Sequence, residues 1–222
     1  QLTSPLPRSS LTLLRCDIST NAGHGAFVAG GGFLAVSDSV LYNNLGCGLE
    51  AEGTGSVLLA VGTRLIRNDA QGVRAALGAG LVMTRCCAMG NSRDGVAVEG
   101  AGSRAHLTRC ESRENRESGL CVTGGGAVEL SYSRLAANQH DGLAVGGTDS
   151  LAVAHSCVFN GNVAKGAVVC MGGSAELSEC AVHCNGSKSA QVSDEESRLV
   201  LSRGCSLDRQ PVAASGGALV HL

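Results

Sequence analysis

The chain has no tryptophan, two tyrosines and three phenylalanines among its 222 residues. With so few aromatics, base stacking on single strands has little platform, and so does the stacking of sugar rings. Seventeen Lys and Arg against nineteen Asp and Glu leave a formal charge of −2, so no basic face is available to hold a phosphate backbone. Nucleic acid is thereby excluded as a partner. No apolar run approaches the roughly 18 residues of a membrane-spanning helix, so no membrane segment is expected. Proline is scarce, and two of the three prolines fall in "QLTSPLPRSS". Residues 1–10 read as a leader that lacks the charged and apolar blocks of a signal peptide. A start at Gln1 rather than Met reads as a piece of a longer protein. Gly-rich stretches such as "GHGAFVAGGG" recur along the chain and precede no helical pattern, so they are not phosphate loops. No cofactor is expected.

What the chain has is a period. Asparagine falls at Asn21, Asn44, Asn68, Asn91, Asn115, Asn138, Asn162 and Asn185, in gaps that alternate between 23 and 24 residues. Four residues after each stands a glycine (Gly25, Gly48, Gly72, Gly95, Gly119, Gly142, Gly166), until Ser189 breaks the rule. A ninth copy places Asp208 and Val212 in the two slots. A fixed period of this size marks a solenoid. Helical repeats are disfavoured, because no 3.6-residue stripe is present and glycine interrupts every copy.

Stacked copies give columns. The residue after the glycine is always apolar (Leu49, Val73, Val96, Leu120), as is the residue two further on (Ala51, Ala75, Val98, Val122). Between them lies a mixed column that includes Phe27, Glu50, Arg74 and Ala97. This in-out-in alternation is a strand with one buried face. Further apolar columns stand eight and three residues before each asparagine. Two or three short strands per copy, each paired with its equivalent in the next, make a parallel β-helix of about nine coils, at about 4.8 Å per coil. The asparagines stack into a ladder of amides. The glycine is expected to close the turn at a positive φ that only glycine adopts cheaply.

Units such as "NSRDGVAVEG" resemble the right-handed parallel β-helix repeat of the pectate-lyase-like superfamily. The resemblance covers about residues 11–215. It implies an all-β fold, a right-handed single-stranded parallel β-helix over 11–222, and the hand agrees with the rule for parallel crossovers. Its members include polysaccharide lyases, hydrolases and uronate epimerases, together with non-catalytic β-helix domains of intracellular adaptors. Where many members carry a second asparagine, this chain has Cys16, Ser39, Thr63, Cys86, Cys110, Ser133, Cys157 and Cys180. That is a small-residue column, read as inward-facing.

Eleven cysteines are an odd count, and most lie in repeat columns. They read as buried, reduced thiols, with Cys16, Cys86, Cys110, Cys157 and Cys180 as the core set, and as a sign of a reducing, intracellular compartment. "CAVHC" (Cys180 to Cys184) offers zinc-type donors, but Cys180 belongs to the inward column, so no metal is assigned. Asn185-Gly186-Ser187 fits the glycosylation pattern, yet Asn185 is a ladder residue.

In enzymes of the superfamily, the resemblance implies a groove on one outer sheet with acid and base groups from adjacent coils. The outward column nine before the asparagine puts His106 beside Glu129. The column six before it brings Arg85, Arg109 and Tyr132 to the same region. His106, Glu129, Arg109 and Tyr132 are the candidate catalytic set. Against them stands the plain pairing of charges on a solvated face. The chain also offers no Asp cluster of the kind a lyase calcium needs and no paired-carboxylate cluster typical of the hydrolases. A second charged group forms a ridge of turns: Arg93, Asp94, Arg116, Glu117, His140, Asp141, Lys165 and Lys188. Outward apolar residues Phe27, Val168, Leu14, Val61 and Leu201 extend it. Solenoids present such regular surfaces to partners. The favoured reading is a non-catalytic scaffold or recognition domain, bound to a protein partner or an adjoining domain, with end-to-end self-association through its open ends. The alternative is a carbohydrate-active lyase, hydrolase or epimerase.

Overall fold

The computed structural model describes residues 9–202, 204–208 and 212–221. The prolines of the leader lie outside them. Among the described residues every element is a strand, and every pairing is parallel, in three sheets of ten, nine and nine strands. Each coil contributes one strand to each sheet. In one central coil these are Arg104–Thr108, Glu111–Arg113 and Leu120–Thr123. The first strand of the rod begins at Ser10, one residue inside the expected leader.

The column reading survives at the core. Leu34, Leu58, Leu81, Leu107 and Leu130 are buried along the first sheet, Leu41, Leu65 and Leu135 along the second, and Leu49, Val73, Val96 and Leu120 along the third. Inward side chains of successive coils stack on themselves, so one apolar column serves nine coils. Burial at about 25 cal/mol per Å² of apolar area drives this stacking. The small-residue column also faces in. Its hydroxyls and thiols donate to the carbonyl two residues back, as Ser39 Oγ does to Ser37 at 2.7 Å and Cys157 Sγ to His155 at 3.2 Å. Cys86, Cys110, Cys157 and Cys180 are buried, and all eleven cysteines are free. Cys16, in the first coil, is only half-buried.

The ladder is complete between Asn21 and Asn185. Asn91 shows the pattern: its Nδ2 donates to Asn115 Oδ1 at 2.9 Å and to the Leu65 carbonyl at 3.1 Å. Its Oδ1 accepts from the amide and Nδ2 of Asn68, at 3.0 and 3.1 Å. An amide at 0% exposure thus has both donors and its acceptor satisfied.

The glycine after each asparagine has a different cause from the one expected. None of the seven lies at positive φ. A Cβ on Gly119 would instead stand 2.8 Å from Asn138 Nδ2 and 2.8 Å from the Gly142 carbonyl, and the other six are as tight. The requirement is close approach of the next rung, not left-handed backbone. Positive φ falls one residue before the asparagine (Asn43, Arg67, Glu114, Ala137) and six before it (Arg85, Arg109, Tyr132, Ser156). These are the two corners that bound the second sheet.

The ninth copy is shifted by a residue. Val212 pairs with Ala190, so it occupies the apolar column rather than the glycine slot. Asp208 accepts hydrogen bonds from the Cys184 amide and the Ser189 hydroxyl, each at 2.6 Å. Leu201, read as outward, is 5% exposed and pairs with the buried Leu177.

Candidate functional site

The outer face of the first sheet carries the predicted acid-base pair. His106 and Glu129 are register partners on adjacent strands, and His106 Nδ1 lies 3.1 Å from Glu129 Oε2. Their side chains are 55% and 70% exposed. With Arg104, Leu151 and Val153 they line a shallow hollow of ≈90 Å³. A second hollow, past Thr108 and Ser131, reaches His155.

Arg109 and Tyr132 do not join them. Both occupy left-handed corners, at φ 54° and 50°, one residue beyond the strand end, and neither lines these hollows. Tyr132 packs edge-on against His155, with ring centroids 5.7 Å apart. His155 was missed from sequence, although it lies outward, seven residues before Asn162. Its Nδ1 is 3.0 Å from Ser178 Oγ and its Nε2 3.2 Å from Ser156 Oγ, which donates to Glu179 at 2.9 Å.

Toward the start of the rod the same face turns apolar. Phe33, Val57, Leu59 and Val61 point outward and are half-buried, and Val82 is exposed. Strand register places Val57, Leu59 and Val61 beside Gly80, Val82 and Thr84.

The ridge of turns splits. Arg93, Arg116, Glu117 and His140 are exposed. Asp94 and Asp141 are 7% and 9% exposed, because each folds inward to cap an amide of the next coil: Asp94 Oδ1 accepts from Ser118 and Asp141 Oδ1 from Lys165, both at 2.9 Å. Burial, with Glu117 and Glu99 nearby, pushes the Asp94 carboxyl up to about 7. Lys165 and Lys188 are half-buried, and Lys165 Nζ lies 3.8 Å from Asp141.

A third cluster was not anticipated. On the outer face of the third sheet, Glu50 and Ala97 are buried, contrary to the in-out-in reading. Glu50 is covered by a chain of ion pairs: His24 Nδ1 at 3.0 Å, Arg74 at 2.6 Å, and Arg74 in turn at 2.9 Å from Glu99. Cys47, 2% exposed, lies beside them. Burial, then the Glu50 charge, pushes its thiol up to about 12. Donor atoms of His24, Cys47 and Glu50 all lie within 4.8 Å of one another. The signal was legible. His24 and Cys47 each stand three residues after a ladder asparagine, and Glu50 stands in the mixed column.

A family model described as right handed beta helix region matches residues 62–205. No curated protein matches by sequence. Among solved structures, pectate lyase Pel9A is 12% identical with a TM-score of 0.61, covering 92% of this chain and 68% of its own. A variant of the periplasmic alginate epimerase AlgG is 14% identical with a TM-score of 0.65, covering 86% of this chain and 51% of its own. The A-module of the Azotobacter vinelandii mannuronan C-5 epimerase AlgE4 is 11% identical with a TM-score of 0.50, covering 97% and 89%. At these identities the likeness speaks for the fold.

Proposed function

The chain belongs to the right-handed β-helix family, and on that scaffold we propose that it serves as a recognition module, docking a protein partner on the outer face of its first sheet. The observation that carries this is the outward row Phe33, Val57, Leu59, Val61 and Val82. An outward strand face in water is ordinarily polar, and a contiguous apolar patch rimmed by charge marks an interaction surface. Here the rim is Arg104, His106 and Glu129. A continuous ten-stranded parallel sheet supplies a regular platform for such contacts. An intracellular setting goes with this reading, and the eleven free cysteines support it.

A second reading rests on one contact. Glu129 engages Nδ1 of His106, which turns Nε2 outward, as a proton-abstracting base requires. Arg104 lines the same hollow and offers a cation to a substrate carboxylate. Pectate lyase and alginate epimerases share the fold, so a uronate polymer is the substrate class to try.

One experiment separates the two. The purified chain is incubated with polygalacturonate and with alginate, and unsaturated uronate and C-5 inversion are followed by ultraviolet absorbance and NMR. In parallel, Leu59→Lys and Val82→Lys variants are compared with wild type for capture of a cross-linked partner from native extract. The expected result is no turnover, and capture lost in both variants while their melting is unchanged. Turnover that disappears in His106→Ala would establish the enzyme instead.

A further inference from the structure

We propose that His24, Cys47 and Glu50 bind a divalent transition-metal ion of the zinc class on the outer face of the third sheet. The three donors come from two successive coils and lie within 4.8 Å of one another. In a tetrahedral zinc site with bonds of about 2.0 Å to nitrogen and 2.3 Å to sulfur, ligand atoms stand roughly 3.3–3.6 Å apart. A shift of about an ångström closes that difference, and His24, with 39% side-chain exposure, has room to make it.

The side chains are already held. The His24 ring stacks on Phe27, with centroids 5.7 Å apart and planes at 24°. Arg74 fixes one oxygen of Glu50 at 2.6 Å and is itself fixed by Glu99 at 2.9 Å, leaving the other oxygen toward His24. Outer partners of this kind orient the ligands of metal sites.

His24 Nδ1 meets two opposed demands. The Cys47 amide donates to it at 3.1 Å and needs a lone pair there. Glu50 Oε2, at 3.0 Å, needs a proton there. A single ring nitrogen offers one or the other. A cation between Nδ1, Oε2 and the Cys47 sulfur satisfies lone pair and carboxylate together, while the amide gives up its bond and the thiol proton leaves to solvent. Imidazole, thiolate and carboxylate together suit zinc or cobalt, whereas calcium and magnesium take oxygen shells. The donors line an open cleft of ≈530 Å³ that also includes Asp69 and Gln71. Cys47 and Glu50 are buried at the floor of this cleft and His24 is exposed at its edge, so three protein ligands there leave a fourth position toward the cleft for water or a ligand.

The test is cobalt titration of the metal-stripped, reduced 222-residue chain, followed by zinc. One cobalt per chain is expected, with a thiolate-to-cobalt charge-transfer band and the visible bands of four-coordinate cobalt, bleached by one equivalent of zinc. His24→Gln and Glu50→Gln should each weaken binding by at least about 100-fold, the upper limit for loss of an outer partner. Cys47→Ser should remove the charge-transfer band. His24→Gln, at an exposed position, keeps the test valid if Cys47→Ser fails to fold, and far-UV circular dichroism checks both. A Cys184→Ser control should bind as wild type. The proposal is overturned if cobalt does not bind, if His24→Gln binds as wild type, or if the band follows Cys184 rather than Cys47.

Discussion

At the scale of the residue, the ladder asparagine does the work of several groups. Asn115 accepts from the amide and Nδ2 of Asn91, at 3.0 and 2.9 Å, and donates to Asn138 at 3.0 Å. Asn115→Ala orphans two buried donors of Asn91, at about 1–3 kcal/mol each. Chemical denaturation is expected to show a loss on the order of 3–5 kcal/mol. Asn21, exposed in the first coil of the described residues, donates to Asn44 Oδ1 from its amide and Nδ2 at 3.1 and 2.8 Å, and water can replace an exposed group, so Asn21→Ala in this 222-residue chain should cost about 1 kcal/mol. Equal losses at the two sites would contradict a ladder role. Asp94 predicts a pH dependence. Its folded value of about 7 lies above the ordinary 3.8. Between those values the folded chain holds a proton that the unfolded chain has released. Stability from this group is therefore fully present below about pH 4 and falls as pH rises toward 7, by up to on the order of 4 kcal/mol. Asp94→Asn keeps the acceptor for the Ser118 amide and should flatten that slope in melting curves taken across the window.

At the scale of the element, each coil is three short strands and three turns, and the alternation of 23 and 24 residues has one location. The extra residue falls between the third sheet and the next first-sheet strand, in alternate coils. There Ser56, Ser103, Ser150 and Ser197 recur, all buried. Their hydroxyls accept from the amides of Gly31, Gly78, Gly125 and Gly172 in the preceding coil, at 2.9–3.1 Å. The structural unit is thus a pair of coils of 47 residues, one long turn with its serine and one short turn without. The tightest element is the step from asparagine to glycine. Gly119→Ala places a methyl against the Gly142 carbonyl and the Asn138 amide, and backbone there cannot retreat without breaking the rung. A loss of several kcal/mol, on the order of that for a core overpacking, is expected in denaturant titration. An unchanged midpoint would show that the rungs have slack.

At the scale of the whole molecule, the rod is a stack in which each coil touches only its neighbours, so burial is shared evenly along it. The sulfur column runs through this stack. Cys86, Cys110, Cys157 and Cys180 are buried, while Cys184 is exposed at a corner. Thiol titration of the native chain should label Cys184 promptly and leave those four untouched until denaturant unfolds the rod. Prompt labelling of the four would mean that the coils open independently. The outer faces differ among the sheets. The first is apolar near the start and charged at the middle, and the third carries the ion-pair chain from His24 to Glu99.

The repeat, the inward apolar columns, the asparagine ladder and the pairing of His106 with Glu129 are all legible in the sequence alone. All of these follow from a period: residues one coil apart become neighbours at about 4.8 Å whatever the path between them. Position relative to a corner was decided only in three dimensions. Arg109 and Tyr132 sit one residue past a strand end, where left-handed backbone swings the side chain off the sheet face. Asp94 and Asp141 turned inward to accept from the Ser118 and Lys165 amides of the next coil, as buried backbone donors require a partner. The glycine of every rung was legible as a requirement, but its cause was not, since a missing Cβ answers equally to positive φ and to a close neighbour. The gathering of His24, Cys47, Glu50 and Arg74 joins two columns across successive coils. It depends on which side chains bend toward each other over the sheet, and that is settled by charge and burial together in the folded rod.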